Sequence, residues 1–390
     1  MRCPACGNAK PQVLLEIPSV PVFCNVLWET AEEARGAARG TMHLAFCPSC
    51  AHTFNSAYDP ALTEYSQSYD NSLHYSARFN QYASELAARL VERHGLRGKT
   101  VVEIGCGKGD FLLMLSEQGD NRAWGFDRSF DPSRVEPSRR DRIHFVQDFY
   151  TPVHAAELAP DLVCCRHVLE HIADPRAFLG DLHRGLEGRA GAVLYVEVPN
   201  ALYTLAHLGI WDVIYEHCGY FTLSSLTRAA GQSGFDVIEA GESFDGQFIY
   251  AEARPGKGEA PGVVPAAHLP AAVRDHASAF ASSFREKLQT WQASVARLRA
   301  EGRRAVVWGG GSKGVTFLNL MGRDSGIEYV VDLNPYKQGK HVAGTGQQIV
   351  APEFLRTYRP SEVIIMNGVY LDEISRLLEA LGVEASLTCA

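Results

Sequence analysis

The pattern that most restricts how this chain folds is a β-rich run that breaks into glycines and reopens as an apolar helical stretch. It occurs twice, as VVEIGCGKGDFL from Val101 and as AVVWGGGSKGVTFL from Ala305. Glycines let the backbone take positive φ and approach a neighbour closely, so a strand can turn at once into a helix. Such a turn opens a β-α-β unit. After the first loop come DFLLMLSEQG, AWGFD, IHFVQ, DLVCCR, PRAFLGDLHRGL, AVLYVEV and LSSLTRAAGQSGF; after the second come IEYVVDLNP, EVIIMNG and DEISRLLEALG. Short β-rich runs alternating with helical ones predict an α/β fold with mainly parallel sheets. Two instances are too few for a solenoid, so they predict one local architecture used in two separate units.

The 390 residues suit two or three domains at roughly 100–200 residues each. Upstream of the first loop, Phe79, Tyr82, Leu86 and Leu90 recur at helical spacing. The stretch ARPGKGEAPGVVPAAHLP, rich in proline and glycine, marks a boundary. After it Val273, Phe280, Phe284, Leu288, Trp291, Val295 and Leu298 form the stripe of a long amphipathic helix. The expected divisions are 1–57, 58–255 and 256–390. With 37 Lys and Arg against 45 Asp and Glu, the net charge of −8 gives no basic field for nucleic acid. There is no run of 18 apolar residues to span a membrane and no signal-like start, so the expectation is a soluble cytoplasmic protein. Its oligomeric state is left open.

Four of the ten cysteines form two Cys-Pro-x-Cys pairs, Cys3 with Cys6 and Cys47 with Cys50. Ten cysteines are too dilute for a disulfide scaffold, and paired CxxC turns are the usual frame of a tetrahedral structural zinc site. A zinc ion here adds folding free energy to a module too small for a full core. A redox CxxC, the alternative, normally stands alone beside a β-α-β unit. The other six cysteines read as buried or incidental thiols.

In the first loop Glu103 ends a strand and Gly105, Gly107 and Gly109 follow, while Asp110 stands where a dinucleotide fingerprint needs its third glycine. This pattern resembles motif I of the class I S-adenosylmethionine methyltransferases, whose glycines line the methionyl part of the cofactor. The resemblance implies that Asp127, at the end of the next strand, receives the two ribose hydroxyls, and that Asp148 lies by the adenine. Cys106 and His167 are counted with them as cofactor-facing residues. Such ligands sit outside the carboxyl ends of the strands.

His167, Glu170 and His171 follow the fourth strand, and Tyr215, Glu216 and His217 follow the fifth. Histidine is suited to removing a proton near neutral pH. The whole order, from CPxC pairs through HVLEH, EVPN and Tyr-Glu-His to WGGGSKG and VVDLNPYKQGKHVAGT, resembles the three-domain NDP-sugar C-methyltransferases. These methylate a 4-keto deoxysugar nucleotide at C-3. The resemblance implies His217 as base, Tyr215 and Glu216 as enolate or hydroxyl partners, and His171 as a further polar partner. It also implies an early tyrosine at Tyr69, with Tyr65 and Tyr75 as alternative registrations. Two departures fall on the acceptor side: IYEHCGYF is one residue shorter than the family's Tyr-His-Glu-His, and FDGQFIYAEA replaces a His-Gly-Gly-Ser segment. An O- or N-acceptor therefore stays open beside a nucleotide-linked keto sugar as the small-molecule partner.

The second loop, Gly309 to Gly314, matches G-x-G-x-x-G, with Asp332 ending the following strand. Alone, this is a dinucleotide fingerprint and makes an NAD-dependent oxidoreductase the rival. A middle reading has Ser312 and Lys313, at the start of the helix, hold the diphosphate of the acceptor.

Overall fold

A computed structural model describes residues 1–63, 69–135, 139, 141–258 and 264–390. Three sheets organise the chain. The central one holds β4 (Thr100–Ile104), β5 (Arg122–Phe126), β6 (Ile143–Val146), β7 (Leu162–Arg166), β8 (Val193–Pro199), β10 (Phe235–Ser243) and β11 (Phe248–Pro255). Its order is β10-β11-β8-β7-β4-β5-β6; β4 to β8 run parallel, and the β10–β11 hairpin joins β8 antiparallel. The C-terminal sheet, wholly parallel, has the order β14-β13-β12-β15-β16. Its strands are β12 (Ala305–Trp308), β13 (Tyr329–Val331), β14 (Gln348–Val350), β15 (Glu362–Ile365) and β16 (Ser386–Cys389). In both sheets the strand that feeds the glycine loop, β4 or β12, lies at the point where the strand order reverses, which opens a crevice at the carboxyl ends.

The third sheet is antiparallel: β1 (Gln12–Pro21), β2 (Arg39–Phe46), β3 (Thr53–Asn55) and β9 (Gly219–Tyr220). Its last strand comes from far along the chain, so the expected boundary at 57 is crossed by this sheet. The segment EEARGAARG forms a short helix, Ala31–Arg35, capped by Thr30, and then enters β2.

The two expected helices are present. Ala77–His94 starts where Ser76 Oγ accepts from the Phe79 N–H and ends at Gly95 with φ 61°. It buries Phe79, Leu86 and Leu90 on the central sheet's core. Pro270–Ala300 buries Val273, Phe280, Phe284, Val295 and Leu298. One apolar core runs from Ile17 and Leu44 of the N-terminal sheet, across that long helix, to Val307 and Val330 of the C-terminal sheet.

The C-terminal glycine loop is packed without slack at its last glycine. A Cβ on Gly314 would collide with the Gly309 carbonyl oxygen, so the helix Ser312–Met321 sits against its own strand only because residue 314 has no side chain. Gly314→Ala is expected to lower stability by about 1–3 kcal/mol as an overpacking change, read by urea denaturation. An unchanged midpoint would mean that the helix can shift freely.

Candidate active site

The carboxyl ends of the central and C-terminal sheets face one cavity of about 1030 Å³, whose wall includes both glycine loops. In the first loop, Gly105, Gly107 and Gly109 all have positive φ, at 70°, 53° and 76°. A Cβ on Gly105 would strike Val168, and one on Gly109 would lie 2.8 Å from Phe145. A Cβ on Gly107 would meet nothing within 4 Å. Gly105 and Gly107 line the cavity, whereas Gly109 is outside its wall and caps the helix Asp110–Gly119. Asp127 Oδ2 accepts from the Gly107 N–H at 2.8 Å, and its Oδ1 from the Ser129 N–H at 2.7 Å. The second loop repeats this device: Asp332 takes the Gly310 N–H at 2.8 Å and the Asn334 N–H at 2.8 Å.

Glu103 lines the cavity and is buried, and its Oε2 has no hydrogen-bond partner. Burial pushes its carboxyl up to about 8. Cys106, Asp148 and His167 also reach the wall. An open cradle over Gly107, a carboxylate braced by the loop and an orphaned buried carboxyl oxygen fit a ligand bearing hydroxyl and ammonium groups. The residues present fit S-adenosylmethionine, which Glu103, Gly105, Gly107, Asp127 and Asp148 on this wall would hold.

On the acceptor side His171 and His217 line the wall with their rings perpendicular and 4.8 Å between centroids. His171 Nδ1 donates to the Glu216 carbonyl oxygen at 3.1 Å. Burial lowers His171 to about 4 and His217 well below the ordinary imidazole value, so both rings are neutral near pH 7. Glu216 stands behind the wall: its carboxylate accepts from Tyr69 Oη at 2.8 Å and from the Cys24 N–H at 2.9 Å. Tyr69 itself is on the wall.

Tyr215 departs from the expectation. It is buried away from the cavity, against Tyr58 and Gly40, and its hydroxyl accepts from the Asp59 N–H at 2.9 Å. Tyr215 is part of the core beneath the N-terminal sheet. Tyr75 lines the cavity and its hydroxyl meets Lys108 Nζ at 2.5 Å, while Tyr65 lies outside the described residues. Ser312 and Lys313 reach the cavity, but Lys313 Nζ is shared with Asp212 at 3.1 Å. Sequence reasoning missed Lys337, a buried cavity-lining ammonium held by Asn25 Oδ1 at 2.9 Å and the Gly310 carbonyl at 3.2 Å. Its only signal was a lysine in the quoted NPYKQGK.

Away from the cavity, the four expected sulfurs converge, all within 4.8 Å of one another. Cys3 and Cys50 are 3.7 Å apart and Cys6 and Cys47 3.6 Å, with no disulfide. Tetrahedral zinc at about 2.3 Å from each sulfur spaces them about 3.8 Å apart. The two pairs sit in matching turns, in which the Gly7 N–H donates to Cys3 O and the Ala51 N–H to Cys47 O. Among the described residues this cluster has the shape for a structural metal.

Residues 75–240 match the family described as methyltransferase domain, and residues 272–385 match the C-methyltransferase C-terminal domain. Both matching models describe methyltransferase domains. Among curated proteins, it is 34% identical over 98 residues to the ubiquinone biosynthesis O-methyltransferase of Pseudomonas aeruginosa, covering 24% of this chain and 42% of the relative. It is 25% identical over 178 residues to the tRNA U34 carboxymethyltransferase of Sulfurimonas denitrificans, covering 41% and 57%. The chain thus spans less than half the length of the O-methyltransferase. A solved structure, magnesium protoporphyrin IX methyltransferase from Synechocystis PCC 6803 with bound SAH, aligns at 20% identity over 46% of this chain and 84% of its own, with a TM-score of 0.35. No described helix is long and apolar enough to cross a membrane.

The buried titratable groups set a pH dependence. Glu103, Glu170 and Glu216 are raised to about 8, 8 and 7 from an ordinary 4.5. Their stabilisation is complete below 4.5 and is lost as pH rises towards 8. His171 and His217, lowered from 6.5, act the other way: their stabilisation is complete above 6.5 and is lost as pH falls. Below 6.5, where buried His52 and His74 are lowered as well, the histidines oppose the carboxyls; above it, of these groups, only the carboxyls still titrate. The melting temperature of the ligand-free protein is therefore expected to fall between pH 6.5 and 8. A flat or rising profile by scanning calorimetry contradicts these burials.

Proposed function

We propose that the chain is an S-adenosylmethionine-dependent methyltransferase that methylates carbon in a nucleotide-linked keto deoxysugar. In this reading residues 1–57 form a module with a structural zinc, 58–255 bind the methyl donor, and 256–390 bind the acceptor's nucleotide end. The observation that carries it is the shared cavity. Its wall holds both glycine loops and the neutral histidine pair, and at about 1030 Å³ it exceeds the ~300–1,000 Å³ usual for one ligand, with room for donor and acceptor.

When bound, S-adenosylmethionine supplies an electrophilic sulfonium methyl group. His217, neutral and on the wall, takes the proton from the carbon beside the acceptor's ketone. Tyr69, once its hydroxyl proton turns from Glu216, donates it to the developing enolate oxygen, and His171, whose Nδ1 keeps its proton, presents an accepting Nε2 to a hydroxyl of the acceptor. Ser312, with Lys313 when released from Asp212, and the helix N-terminus behind them receive the diphosphate.

The C-terminal match, a C-methyltransferase domain, supports carbon over the NAD-dependent alternative for the second loop. S-adenosylhomocysteine is expected to raise the melting temperature while NAD(H) leaves it unchanged. Strong stabilisation by NAD(H), abolished in Asp332→Ala, would reverse the ranking. A mass-resolved assay over a panel of nucleotide sugars should show a 14 Da gain, one CH₂. The O-methyltransferase among the relatives keeps oxygen transfer as a second reading, and the ¹³C shift of the new methyl group separates the two.

A further inference from the structure

We propose that Glu170 is the positioning residue of His217, the carboxylate that compensates the charge His217 acquires when it takes a proton. The proposal rests on His217 being the base.

Glu170 lies in the short turn Leu169–His171, is 2% exposed and lines the cavity. One of its oxygens and one ring nitrogen each of His171 and His217 lie within 4.8 Å of one another. That gap closes with a rotamer change or one bridging water, as is common before a ligand binds. Glu170 Oε2 is buried and has no hydrogen-bond partner. Among the described residues the His217 ring has none either; it packs on His171 and, at 6.0 Å, on Tyr220. An unpartnered oxygen of Glu170 thus lies beside a ring that makes no hydrogen bond among the described residues.

The neighbouring carboxylates are committed elsewhere. Glu216 is taken by Tyr69 and the Cys24 N–H. Glu197, fully buried, accepts from Arg166 Nε at 3.0 Å, from Tyr195 at 2.9 Å and from Tyr82. His167 stands between Glu197 and Glu170, with Nε2 3.4 Å from Glu197 Oε1 and Nδ1 3.8 Å from Glu170 Oε1. Its backbone is held at φ 55°, strained for a residue with a Cβ. Cys218 Sγ donates to the Glu170 backbone carbonyl at 3.4 Å and leaves Oε2 of the side chain without a partner. Of these three carboxylates, and among the described residues, Glu170 is the one with an unspent oxygen beside His217 to stabilise an imidazolium against His171 and His167.

The proton balance is simple. A C–H bond of the acceptor breaks, an N–H bond forms on His217, and the positive charge is matched by ionised Glu170; nothing is oxidised or reduced. Burial holds Glu170 at about 8, so a protonated Glu170 must first release its proton to the cavity, and proton removal by His217 becomes easier as pH rises.

The test is ¹⁵N-histidine NMR of the full chain across pH 6 to 9.5, with His217 assigned by its loss in His217→Asn. The His217 resonances should carry a titration step where Glu170 ionises; the step should vanish in Glu170→Gln and return in Glu170→Asp. A step unchanged in folded Glu170→Gln, or no step in the wild type, overturns the proposal. If Glu170→Gln fails to fold, the Glu170 carboxyl is followed by ¹³C NMR instead. A midpoint that shifts in His217→Asn supports the pairing, and one that does not shift overturns it. A second equivalent of divalent metal per chain, lost in His217→Asn, also overturns it, because the three groups are then ligands. Calorimetry with S-adenosylhomocysteine tests the methyl-transfer reading separately: a coupled titration in a chain that binds no such ligand keeps the pairing and sinks that reading.

Discussion

Replacing His217 with alanine is expected to lower methyl transfer by about 10²–10⁴-fold, the usual contribution of a positioned general base, and to leave affinity for S-adenosylhomocysteine unchanged. The separation follows from the architecture. His217 leads into β9 of the antiparallel N-terminal sheet, whereas Gly105, Gly107 and Asp127 belong to β4, β5 and their loops in the central sheet. The lost ring leaves space beside His171 and Tyr220 but breaks no hydrogen bond among the described residues. Calorimetry measures the cofactor side and the mass-resolved assay the chemistry. Undiminished turnover would remove His217 as the base, and a parallel loss of affinity would show that the ring supports the donor pocket instead.

Stripping the metal from the four-cysteine cluster, or making Cys47→Ser, is expected to lower both stability and turnover although the cluster lies outside the cavity. The link is β3. Cys47 and Cys50 set the turn that leads into it, Thr53 and Phe54 pair with Tyr220 and Gly219 of β9, and the Asn55 N–H holds the Cys218 carbonyl. His217 and Glu216 come immediately before that strand. Isolated zinc modules owe about 10–16 kcal/mol of folding free energy to their metal. Here the N-terminal sheet also shares a core with the long helix, so the expected loss is smaller, several kcal/mol, equivalent to a fall in melting temperature of about 10 °C or more. Metal analysis should give one zinc per chain. Binding of S-adenosylhomocysteine is expected to survive, because its loop is braced within the central sheet. Full activity and an unchanged melting temperature in a metal-free chain would mean that the cluster has no role in shaping the acceptor side.

What can be read from the residues alone is what short-range chemistry dictates. Glycines at 105, 107 and 109 require a turn of positive φ wherever the chain goes, the stripe from Val273 to Leu298 requires a helix, and each Cys-Pro-x-Cys requires a turn that points two sulfurs one way. The acidic ends of β4 and β5 follow from strand length and the turn after each strand. Tertiary structure decided the rest. Tyr215 and His217 are two residues apart in an irregular link whose side-chain directions no periodicity fixes, and one became core while the other reached the cavity. The placement of β9 beside β3, the pairing of Lys313 with Asp212, and the meeting of Glu170 with His217 join positions 47 to 167 residues apart. Such contacts are chosen by the packing of whole sheets against one another, and no local pattern in the sequence encodes that choice.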